Sequence, residues 1–102
     1  MTEHLAPLTV AETLLGGIEE VSRISGRGDK AAYHWRHRNT ARDDGDMPSA
    51  RVMRSLLAHA AAHGIPLKPE HLIWGAPAAE VEGILQQMAA TSGEATSIEA
   101  AE

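Results

Sequence analysis

The 102-residue chain has no cysteine and no phenylalanine. Without cysteine it can form no disulfide, no thiolate zinc centre and no cysteine nucleophile. That usage suits a reducing compartment, and the expected location is the cytoplasm. Two tryptophans and one tyrosine complete the large aromatic set, so Ala, Leu, Ile, Val and Met must build the core. A chain rich in alanine and poor in β-branched runs favours helix over sheet. No apolar run approaches the roughly 18 residues of a membrane span. The opening residues MTEHLAPLTV lack the basic start and long apolar stretch of a secretory leader. The length suits one domain with a modest core.

The formal net charge is −5, but its distribution is uneven. Eight of the nine Lys and Arg residues lie between Arg23 and Arg54, against four acids, which leaves that window at +4. The remainder, with one cation and ten acids, carries −9. A polyanion responds to a local positive face more than to the whole-chain sum. A solvated basic face would produce the same pattern.

Residues 1–8 are read as a lead-in. Thr9-Val10-Ala11-Glu12 has the form of a capping box, which predicts a helix from Thr9 that ends at Gly16-Gly17. Ile18, Val21 and Ile24 share one face of a second short helix. Gly26 and Gly28 break it, and Asp29 is a suitable N-cap for a helix running from Lys30 to about Arg38, with Ala32 and Trp35 turned inward. Asn39 to Met47 is polar and aperiodic, hence a loop. Val52, Met53, Leu56, Leu57 and Ala60 trace a stripe on the next helix, which follows Pro48-Ser49 and stops at Gly64. Pro69 to Gly75 suits one or two helical turns, with Trp74 as a packing or dimer-contact residue. Pro77 opens a last helix, with Val81, Ile84, Leu85 and Met88 on one face. The domain is thus predicted over 9–91, with 92–102 an acidic, disordered tail. The fold class expected is all-α, with four or five helices and no sheet of consequence.

The stretch EEVSRISGRGDKAAYHWRHR resembles the helix-turn-helix of the Cro and phage-repressor-like family. Gly26 falls at that family's turn glycine, Ala32 at its small packing position and Trp35 at a frequent tryptophan. The segment MPSARVMRSLLAHAAAHGIPLKPEHLIWGAP looks like the follow-on helices of small bacterial or prophage regulators. Ser25 and Arg27 depart from the family, which has apolar residues there. The resemblance covers roughly residues 10–77. It implies sequence-specific binding of double-stranded DNA by a homodimeric transcription regulator. Asp29, Lys30, Tyr33, His34 and His37 would face the major groove, and Arg27, Arg36, Arg38 and Arg42 would contact phosphate. The expected dimer seam is the Val81–Met88 stripe.

Other chemistry is thinly represented. His59 and His63 have an i, i+4 zinc-pair spacing but no HExxH glutamate and no evident third ligand, so they are read as solvated. The His34–His37 pair is read the same way. Asp43, Asp44 and Asp46 lack the remaining positions of a calcium loop. Ser22, Ser25 and Ser49 stand outside any nucleophile motif, and GRGD is not a phosphate loop. No enzymatic activity, cofactor, metal, membrane or small-molecule ligand is expected. The alternative function is a helical adaptor whose apolar stripes dock another protein.

Overall fold

A computed structural model describes residues 3–28, 30–40 and 42–101, and over 91–101 the backbone alone. It is mostly helical, with one two-stranded sheet. Pro7 occupies the first turn of α1 (Pro7–Leu15), where its missing N–H costs nothing and its fixed φ suits the helix. Leu8, Val10, Ala11, Leu14 and Leu15 are buried on this helix. It ends at Gly16, whose φ of +103° only glycine adopts readily. The helix therefore starts two residues before Thr9. The Thr9 side chain does not cap it, and its carbonyl accepts instead from Thr13 Oγ1 at 2.7 Å.

The α2 helix (Ile18–Ile24) buries Ile18, Val21 and Ser22. The chain then reverses at Gly26, φ +81°, with the Arg27 N–H donating to the Ser22 carbonyl at 3.2 Å.

The predicted helix from Lys30 to Arg38 is not an α-helix. It is a 3-10 helix, η1 (Ala31–Arg36), after which His37 is extended. Two tertiary contacts tie the segment down. The Ala32 N–H donates to Ser22 Oγ at 2.8 Å, and the Trp35 carbonyl accepts from Gly45 N–H at 2.8 Å. The local sequence, with Tyr, His and Trp, has little intrinsic helix preference to resist this. In a 3-10 helix residues i and i+3 eclipse, so Ala32 and Trp35 still both face the core, as the sequence predicts.

The segment from Asn39 to Met47 is a loop, but a heavily hydrogen-bonded one. Asp44 Oδ1 accepts from Arg38 N–H at 2.6 Å, Asp46 Oδ2 from Asp43 N–H at 3.2 Å, and the Gly45 carbonyl from Leu8 N–H at 2.8 Å. Its acids satisfy backbone donors in turns.

Ser49 Oγ caps α3 (Ala50–Ala62) by accepting from Val52 N–H at 3.3 Å. Val52, Leu56 and Ala60 form its buried stripe. In the short α4 (Pro69–Ile73), His71 Nδ1 accepts from the Lys68 N–H at 3.0 Å.

The lead-in reading of 1–8 needs correction. His4–Leu5 forms β1, antiparallel to β2 (Ala76–Pro77) in the register His4↔Pro77 and Leu5↔Ala76. Gly75 permits this approach: its φ is +78°, and an added Cβ would lie 1.9 Å from the Leu5 carbonyl oxygen. The final helix, α5 (Ala78–Ala101), continues through the segment read as a tail. Val81 is buried, and Ile84 and Met88 are half-buried against the chain's own core. Most of the stripe assigned to a dimer seam is thus used internally. No helix among the described residues is long and apolar enough to cross a membrane.

Candidate nucleic-acid interface

The basic window folds into α2, the turn after it, η1, the following loop and the start of α3. The packing of η1 fixes which side chains are free to meet a partner. With the 32/35 row buried, the neighbouring 3-10 rows put Ala31 with His34 on one flank and Tyr33 with Arg36 on the other. The Arg36 guanidinium indeed lies over the Tyr33 ring, 5.0 Å from its centroid. An α-helix would have aligned Lys30 with His34, four residues apart. Here Lys30 is only the N-cap of η1, so the paired guanine contact expected of these two does not arise from helix periodicity.

Arg27, Lys30, Tyr33, His34, Arg36, His37 and Arg38 are all exposed. Asp29 lies outside the described residues. Arg36 is partly engaged, because its Nη2 is 3.3 Å from Glu12 Oε2 on α1. Thr9, Glu12, Arg36 and Asp44 line a shallow cleft between α1 and the loop. Arg42 is half-buried, and its Nη1 is the one buried side-chain polar atom without a hydrogen-bond partner among the described residues. Its backbone N–H donates to Asn39 Oδ1 at 2.8 Å. On α2, Arg23 is held by Glu20 through two hydrogen bonds. That bonding keeps the Glu20 carboxyl below its ordinary range and raises Arg23.

Two residues that join elements escape a sequence reading. Ser22 joins α2 to η1 and is fully buried, yet a lone serine on an apolar helix face carries no distinguishing signal. His71 is buried, with Nε2 2.6 Å from Glu80 Oε2 on α5, a pairing across nine residues and two helices. Trp74, expected to pack, is 74% exposed, and its neighbour Ile73 is 54% exposed. The five-residue α4 has one inward side, taken by His71 and Leu72, so the residue at its C-terminal cap turns outward.

No group of three or more His, Asp or Glu side chains among the described residues is placed to hold a metal ion. Comparisons with protein-family models, with curated proteins and with solved structures find no match to this chain.

Proposed function

We propose that the protein binds double-stranded DNA through the basic surface formed by the turn after α2, η1 and the chain leading to Arg42. The observation that carries this reading is the segregation of charge: the 23–54 window is +4 while the rest of the chain is −9, and the cations Arg27, Lys30 and Arg38 are exposed. The geometry shifts the balance of contacts. A six-residue 3-10 helix spans only about 12 Å at a rise of about 2.0 Å per residue, so it offers few side chains to base edges. Contacts to phosphate therefore supply most of the affinity, and His34 and Tyr33 supply what base selectivity there is. A role in transcription regulation, and a dimer reading two half-sites, rest on the resemblance to Cro-like proteins. The test is a gel shift with random duplex at two salt concentrations. Retardation that weakens steeply with salt supports the reading, and no retardation at low salt overturns it.

A second reading, a protein-docking module, is favoured by one observation, the exposed Ile73 and Trp74 side chains. Trp is enriched among residues that anchor protein interfaces.

A further inference from the structure

We propose that His59 and His63 bind a single transition-metal ion of the class that prefers imidazole: zinc, nickel or copper. The two residues are one turn apart on α3, and their ring centroids are 4.2 Å apart with planes tilted by 33°. Two imidazole nitrogens on one tetrahedral zinc are about 3.3 Å apart, given Zn–N lengths of about 2.0–2.1 Å. The ring centres of two such ligands are about 5 Å apart, so the two imidazoles splay from their present contact to share an ion, which the i, i+4 placement on one helix face allows. Only alanines, Ala60 to Ala62, stand between them in sequence.

Commitment of the other histidines singles this pair out. His71 uses both ring nitrogens, on the Lys68 N–H and on Glu80. His4 Nε2 donates to the Trp74 carbonyl at 2.7 Å. His34 and His37 straddle the end of η1, where the chain becomes extended. The rings of His59 and His63 contact each other and are not hydrogen-bonded to other described residues. His59 is half-buried and His63 exposed, so the site is anchored on one side and open on the other. With no third ligand in place among the described residues, water completes the coordination and the ion exchanges readily. Calcium and magnesium, which select oxygen ligands, are excluded.

Calorimetric titration of the full chain with zinc chloride, and separately with nickel chloride, tests this. The expected result is one ion per chain with micromolar affinity, together with a higher melting temperature at saturating metal. His63→Ala, at an exposed position, weakens binding by about tenfold or more and removes the rise in melting temperature. A His34→Ala, His37→Ala double variant binds as the parent does. Parental affinity no tighter than millimolar, unchanged binding in His63→Ala, or loss of binding in the double variant overturns the proposal.

Discussion

The Ser22 hydroxyl accepts the backbone N–H of Ala32 at 2.8 Å while donating to the Ile18 carbonyl at 3.0 Å. Both ends of this bridge are fully buried. One side chain thus fixes the distance between α2 and η1, and it holds the basic residues of η1 in place relative to the preceding turn. Ser22→Ala leaves the Ala32 N–H buried without a partner, which costs about 1–3 kcal/mol. Urea denaturation of the purified variant reads this directly. A loss below about 0.5 kcal/mol would show that η1 is held by the Trp35 side alone.

The two tryptophans are expected to behave oppositely. Trp35 is 4% exposed and Trp74 is 74% exposed. Trp35→Ala removes a buried ring and destabilises by about 3–5 kcal/mol. Trp74→Ala changes stability by no more than about 0.5 kcal/mol, as surface substitutions do. Equal melting shifts in the two variants would contradict the burial assigned to each.

Glycines at two positions give a second contrast. Gly75→Ala must adopt a left-handed conformation costing about 1–2 kcal/mol, and its Cβ would also collide with the Leu5 carbonyl. The collision pushes β1 from β2 and adds to that cost. Gly83 lies inside α5 with nothing within 4 Å of an added Cβ, so Gly83→Ala stabilises by about 0.5–1 kcal/mol. Thermal melts of the two variants should move in opposite directions.

For duplex binding, Arg27→Ala, Lys30→Ala and Arg38→Ala should each weaken all sequences alike and lower the salt slope by about one. Arg36→Ala should do less, because Glu12 already engages that guanidinium. Glu12→Gln releases Arg36 and removes a negative charge, so affinity should rise. Fluorescence anisotropy at several salt concentrations separates these outcomes. A Glu12→Gln variant with weakened binding would place Arg36 outside the interface.

The Glu20–Arg23 pair gives the stability a small acid dependence. The hydrogen bond from Arg23 holds the Glu20 carboxyl below its ordinary value in the folded protein. Folding therefore gains from this pair above the unfolded pKa of about 4.3, and the gain is lost as pH falls through the lower folded value. Denaturant midpoints from about pH 6 to about pH 3 should decline less for Glu20→Gln than for the parent. Parallel curves would mean that the pair contributes nothing measurable in solution, as many exposed pairs do.

Local chemistry alone determined several parts of this molecule. Gly16, Gly26 and Gly64 sit at positive φ where helices end or the chain turns, and Ser49 caps α3. Such signals act within a few residues and are legible without a fold. The inward direction of Ala32 and Trp35 was legible as well, because residues three apart share a face in either helix type. The tertiary structure decided the rest. Ala31–Arg36 is wound as 3-10, and it is tied down by the Ser22 hydroxyl, ten residues from Ala32, and by the Gly45 N–H, ten residues from Trp35. Periodicity cannot register a hydrogen bond made across such a gap. Likewise β1 exists because Gly75 lets a distant segment approach, and Trp74 is exposed because Leu72 and His71 had already filled the inward side of α4. The same winding leaves Lys30 as the N-cap of η1, apart from His34, and Arg36 lies against Glu12 of α1.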